Sequence, residues 1–221
     1  MNNPFDYFDK IYCICGNHEV ARWENCKVQF EKLGIMNRVE RFSDFASHEE
    51  LKKCKMDPCK HSHFSIMKLA NKDALKRIFI FESDFHFINY DLELIDKSFK
   101  SLEKLDWKMF FMGGVVHNVY EVINKNLVRA NVSTTHAYAI NGCYLGEIIK
   151  KYETSTKTSD QINRRVRKYQ IGSYCYCSYP MFVVQSDTQK EIKRTILASK
   201  AYQNKVEPKM IEFLKQNNEL Y

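Results

Sequence analysis

The sequence predicts an α/β protein whose mixed, mainly parallel sheet carries helices on both faces. Two observations predict it. Short apolar runs alternate with longer stretches in which apolar residues recur at helical spacing, the β-α-β order that builds parallel sheets covered by helices. The run Ile78-Phe79-Ile80-Phe81 is also apolar at four consecutive positions, as a strand buried on both faces requires, before it ends in Glu82 and Asp84.

Residues 10–15, Lys-Ile-Tyr-Cys-Ile-Cys, read as the first strand, closed by Gly16-Asn17. Val20, Trp23, Cys26, Phe30 and Leu33 then recur at near-helical spacing over 18–33, and Gly34 supplies the stop. A second strand is expected over 37–42, and a polar, Lys-rich loop with a short helix over 44–60. From His63 onward, Met67, Ala70 and Ala74 mark one helical face leading to the strand at 77–81. Leu92, Leu94, Ile95, Phe99 and Leu102 give a helix over 91–104 its buried stripe. Trp107 to Met112 read as a strand entering Gly113-Gly114. Periodicity is weak over 115–132, which reads as a mobile or substrate-facing loop, and strong β character returns over 133–140. Helices are expected over 142–153 and 159–169, an aromatic strand region over 171–185, and basic amphipathic helices to the end.

At 221 residues, with no repeat, low-complexity linker or visible boundary, the chain reads as one domain over 1–221, with a donor-binding part at about 9–112 and an acceptor-side part at about 113–221. No apolar run approaches the roughly 18 residues of a membrane span. The start, Met-Asn-Asn-Pro-Phe-Asp, has neither the basic region nor the apolar segment of a signal peptide, so a cytoplasmic protein is expected. A net charge of +7 fits phosphate-bearing ligands, nucleic acid or an anionic membrane surface. Only Arg164-Arg165-x-Arg167-Lys168 forms a local basic cluster, which a solvated helix face explains more simply than an RNA groove, so no nucleic-acid partner is expected. The eight cysteines read as reduced, largely buried thiols. Cys54-x4-Cys59-x-His61-x-His63 offers four zinc-type ligands, in a spacing that matches no usual structural zinc site.

Two carboxylates at i and i+2 beyond a buried strand, Glu82 and Asp84, can face the crevice where open α/β sheets bind ligands. Hard oxygen donors of this kind hold Mg²⁺ or Mn²⁺ and leave positions for substrate phosphates. Read alone, the same residues are also an ordinary strand end with two solvated acids.

Several short blocks, in order, move this reading further. Cys59-Lys60-His61-Ser62-His63-Phe64 resembles the Gly-Cys-x-x-Ser-His element of glycosyltransferase family 25, the lipooligosaccharide and procollagen galactosyltransferases. Phe81-Glu82-Ser83-Asp84-Phe85 resembles that family's Leu-Glu-Asp-Asp-Val, and Trp107 through Gly113 its Trp-Asp-x-x-x-x-Gly. Thr135-His136-Ala137-Tyr138 resembles its Thr-His-Ala-Tyr strand, Ser159-Asp160-Gln161 its Val-Asp-x element, and Arg22 its Arg-bearing loop. The resemblance spans about residues 9–190. The chain departs from the pattern at Ser83, where the family has Asp, at Cys15-Gly16-Asn17, where it has Asn-Leu-Asp, and at Pro58, where it has Gly.

The resemblance implies a GT-A-type fold and an inverting, metal-dependent transfer of a hexose, galactose or glucose, from a UDP-sugar donor to a glycan or glycoprotein acceptor. It implies metal ligation by Asp84, with Glu82 and His136, and imidazole beside carboxylate favours Mn²⁺ over Mg²⁺; otherwise His136 is a hydrogen-bonded histidine in a sheet. Asp160, behind the N-cap candidate Ser159, is the implied general base, and read alone a good helix-start residue. Ser62 and His63 meet donor phosphate at a helix N-terminus, or cap and pack that helix. Cys15, Asn17, Arg22 and Phe42 complete the expected donor contacts. A catalytically weak nucleotide- or glycan-binding relative is the second reading, and a zinc-stabilised nucleic-acid binder the third.

Overall fold

The computed structural model describes residues 3–43, 58–153, 174–185 and 189–217. Its strands are β1 (Lys10–Ile14), β2 (Val39–Phe42), β3 (Arg77–Glu82), β4 (Phe85–Phe87), β5 (Met109–Phe111), β6 (Val115–Asn124), β7 (Leu127–Ser133), β8 (Ala137–Asn141), β9 (Cys175–Ser178) and β10 (Val183–Gln185). Its α-helices are α1 (Val20–Lys32), α2 (Pro58–Lys72), α3 (Leu92–Glu103), α4 (Leu145–Glu153) and α5 (Gln189–Gln216).

Eight strands form one sheet in the order β2-β1-β3-β8-β5-β9-β7-β6, and β4 pairs with β10 in a small antiparallel sheet. The parallel pairs are β1/β2, β1/β3 and β5/β9; β8 runs antiparallel to both β3 and β5, and β7 to both β9 and β6. Followed across the sheet, β2, β1, β3, β5, β9 and β6 therefore point one way, and β8 and β7 the other.

The period-two alternation of strand side chains divides the core between the two faces. Ile11 and Cys13 of β1, Phe79 and Phe81 of β3 and Ala137 and Ala139 of β8 pack with Cys26 and Phe30 of α1 and Phe99 of α3. Tyr12, Ile14, Ile78, Ile80, Tyr138 and Ile140, their immediate neighbours in sequence, pack with Phe64, Met67 and Ala70 of α2, with Ile148 of α4 and with Tyr202 of α5. This is why β3 carries an unbroken apolar run: both of its faces are covered. Helix α3 starts where Asp91 accepts from the backbone N–H groups of Glu93 and Leu94, satisfying two donors of its first turn.

Four expectations are corrected. Residues 115–132 are not a loop but most of the β6–β7 hairpin, closed by the Asn124 side chain accepting from Asn126 N at 2.8 Å. Register shifts between Val116 and Asn118, Val119 and Glu121, and Val122 and Asn124 break the alternation that would have announced the strand. The expected strand over 133–140 is split: Ser133 ends β7, Thr134 turns the chain with φ 78, and β8 begins at Ala137. The chain's last described helix is one element, α5, with Pro208 inside it, rather than several. Ala74, expected on the face of α2, lies beyond its end with φ 49. The helix expected over 159–169 lies outside the described residues.

Gly113 marks where the chain before β10 crosses β5. Phe182 N and Val183 N both donate to Met112 O, at 2.9 and 3.3 Å, and a Cβ on Gly113 would sit 1.7 Å from Val183 O. Backbone cannot retreat as a side-chain tip can. Gly113→Ala is therefore expected to destabilise by about 3 kcal/mol. In contrast, Gly146→Ala, in α4 with open space around it, should stabilise by roughly 0.5–1 kcal/mol. Urea denaturation of the two variants checks both signs.

Candidate functional site

The tips of four strands are tied together at one edge of the sheet. Cys15 N donates to Phe42 O (3.0 Å), Ser83 N to Ile14 O (2.9 Å), and Glu82 N to His136 O (3.0 Å). Because β8 is antiparallel to β3, the residues that precede β8 arrive where β3 ends. Glu82, Thr135 and His136 thus meet although they are more than fifty positions apart.

Glu82 is 16% exposed, and its Oε1 accepts from His63 Nε2 at 3.0 Å and from the Thr135 hydroxyl. Burial by itself opposes ionisation, but the hydrogen bonds from His63 and Thr135 and the proximity of His63 outweigh it. The carboxyl is held below its ordinary range. Oε2 makes no hydrogen bond among the described residues. His63, on α2, is 3% exposed, and its Nδ1 lies 2.9 Å from the Tyr138 hydroxyl. Ser62 is buried and donates to Pro58 O one turn back, at 3.0 Å. Ser62 thus bonds within its own helix, whereas His63 reaches Glu82 at the tip of β3.

His136 is 2% exposed. Burial pushes its pKa down, and nearby Glu82 and the Val183 carbonyl offset this only in part, so the ring is neutral. Its Nε2 is 3.5 Å from Val183 O, while Nδ1 has no hydrogen-bond partner among the described residues. The ring lines a cavity of about 50 Å³ with Thr134, Met181 and Gln185.

Asp84 takes different company. Its Oδ2 accepts from Gln185 Nε2 of β10 at 2.7 Å, and it borders a groove of about 350 Å³ along α1 with Arg22, Asn25 and Tyr90. Arg22, 44% exposed, is held by Glu19 (2.6 Å) at the start of this groove. Glu19 also accepts from Gly16 N (2.7 Å) and, on the oxygen that holds Arg22, from the Ser83 hydroxyl (3.4 Å). This accounts for Ser83: an acid there would face the Glu19 carboxylate. Cys15 is buried, Asn17 exposed, and the Phe42 ring packs into the core on the α2 side. Arg41 holds the Cys15–Gly16 turn by donating to both carbonyls. Asp160 lies outside the described residues.

Among the described residues, no group of three His, Cys, Asp or Glu side chains is disposed to hold a metal ion. The chemistry present nevertheless fits a cation completed by substrate phosphates: Asp84 offers hard oxygen at the rim, Glu82 an unclaimed Oε2, and His136 a lone pair on Nδ1. Of the zinc-type ligands, Cys54 and the Cys59 side chain fall outside the described residues. His63 is committed to Glu82 and Tyr138, and His61 Nδ1 lies 3.4 Å from Ser65 Oγ.

Glu19, Arg41 and Gln185 were not legible as site residues in the sequence. Glu19 reads as an ordinary helix-start acid, and Gln185 reaches Asp84 across 101 positions. Tyr138 and Thr135 carried a signal in the Thr-His-Ala-Tyr block, although Thr135 lies just before β8 rather than in it.

No protein-family model matches the chain, and a comparison with curated proteins finds no match. Among solved structures it is similar to a glycosyltransferase involved in the glycosylation of the major capsid of PBCV-1, at 12% identity and a TM-score of 0.45, covering 86% of this chain and 97% of that one. It is also similar to a UDP-glucose pyrophosphorylase complexed with UDP-glucose, at 10% identity and a TM-score of 0.48, covering 89% and 81%. Among the described residues, no helix is long and apolar enough to cross a membrane.

Ser83→Asp is expected to lower stability by roughly 1–2 kcal/mol through repulsion from Glu19, and Glu19→Gln in the same chain should return most of it. Thermal unfolding of the single and double variants tests the pairing. Acid should weaken the fold in two stages. Glu82 and His136 both have folded-state values below their unfolded ones, so the unfolded chain binds more protons as pH falls. The His136 contribution is lost as pH drops below about 6.5, and that of Glu82 as it drops below about 4.5. Urea midpoints across this range should show His136→Gln removing the upper part of the slope.

Proposed function

We propose that this chain is a glycosyltransferase that moves a hexose, galactose or glucose, from a UDP-sugar to a glycan or glycoprotein acceptor with a divalent cation, Mn²⁺ in preference to Mg²⁺. The observation that supports this best is the ionised Glu82 fixed at the joined tips of β1, β3 and β8, with Asp84 beside it at the mouth of an open groove. A negative edge of this kind at the carboxyl ends of parallel strands suits the diphosphate of a nucleotide-sugar through a shared cation.

When bound, the cation would neutralise charge developing on the leaving diphosphate. Asp84 and Glu82 Oε2 are the oxygen donors for it, and His136 Nδ1 the nitrogen donor. Arg22, held by Glu19 beside the groove, would meet phosphate there. Asp160 is the general base in this reading, taking the acceptor hydroxyl proton as that oxygen attacks the anomeric carbon in an inverting displacement.

One observation favours a second reading, a nucleotide- or glycan-binding relative with little turnover: Glu82 Oε1 is already occupied by two donors, and no three-ligand cluster converges. Turnover decides between the two. Purified protein with Mn²⁺ is expected to hydrolyse a UDP-hexose, and Asp84→Asn to reduce kcat by about 10²-fold or more. UDP binding in a thermal-shift assay without any hydrolysis would instead establish the binding role.

A further inference from the structure

We infer that His63 is a positioning residue: it holds Glu82 at the tip of β3 in one orientation, and the Tyr138 hydroxyl steadies the ring from its other side. The inference deepens the donor-site reading proposed above and rests on it for its role in turnover, while the arrangement itself is testable without substrate.

The bond to Glu82 has one direction. Oε1 of an ionised glutamate only accepts, and Thr135 already donates to it, so the His63 nitrogen 3.0 Å away must be an N–H donor. That places a proton on Nε2. On the other side of the ring, Nδ1 lies 2.9 Å from the Tyr138 hydroxyl, a group able to donate or accept. The contacts run from Tyr138 through His63 to Glu82. They join β8, α2 and β3, and both His63 and Tyr138 are buried.

Packing alone does not call for this arrangement. Apolar residues of similar volume would fill the same layer without the cost of desolvating a carboxylate. What the polar chain adds is direction: with Oε1 and the ring fixed, Oε2 is left facing away from the pair and unclaimed among the described residues. A carboxylate whose second oxygen must meet a ligand benefits from a fixed first one, because misplacement by about 1 Å can cost about 10²-fold in rate.

The test combines histidine ¹⁵N NMR with variants of this chain. In the free protein, His63 Nε2 is expected to carry a proton, its signal in the pyrrole-like range and moving on Glu82→Gln. Tyr138→Phe removes one oxygen from a buried ring, should fold, and should leave that proton in place. A wild-type ring with no proton on Nε2 overturns the inference. With UDP-hexose and Mn²⁺, His63→Gln keeps an N–H near the position of Nε2 and should stay within about tenfold of wild-type kcat. His63→Asn reaches only the Nδ1 position and should lose about 10²-fold, with a smaller change in KM. Equal losses in the two variants would mean that His63 acts through packing alone and would also overturn it. If the wild-type protein turns over no nucleotide-sugar, the transferase reading fails, and the ¹⁵N measurement still decides whether His63 donates to Glu82.

Discussion

The antiparallel insertion of β8 between β3 and β5 is the constraint on which the site depends. A five-residue strand is about 16 Å long, so a parallel β8 would carry Thr135 and His136 to the far edge of the sheet. Reversed, it delivers them to Glu82, and the backbone bond from Glu82 N to His136 O fixes the register. Tyr138 follows two positions later on the same face and meets His63 from α2. One choice of strand direction thus assembles an acid, two imidazoles and two hydroxyls from three elements distant in sequence.

Burial presses both ionisable ends of this assembly toward their neutral forms, with different results. Glu82 remains charged because donors compensate its desolvation; His136 is neutral because little compensates its own. Perturbed groups of this kind cluster at functional sites.

Much of the fold could be read from the sequence, for identifiable reasons. The apolar run of β3, the stripe of α3 and the Gly34 stop after α1 each follow from burial on a regular lattice. The β6–β7 hairpin did not show itself because its bulges interrupt the period on which such reading relies. Glu82 and Asp84 were visible as a pair, but their separate hydrogen-bond partners were not. Glu82 joins α2 and β8, whereas Asp84 joins β10 through Gln185. Ser83 looked like a departure without a cause until Glu19 appeared beside it. Contacts of this kind depend on chain reversal, and no local pattern carries them.

The sulfur atoms follow the same logic of enclosure. Cys13, Cys15, Cys26, Cys175 and Cys177 are fully shielded from solvent, and burial pushes the Cys175 and Cys177 thiols up to about 12. Nucleophilic attack and oxidation both proceed through the thiolate, which such surroundings suppress. Burial therefore silences the Cys13, Cys15, Cys175 and Cys177 thiols, whatever the redox character of the medium. Together with Cys26 they act as dense filling, so these cysteines say more about how the interior is packed than about where the protein works.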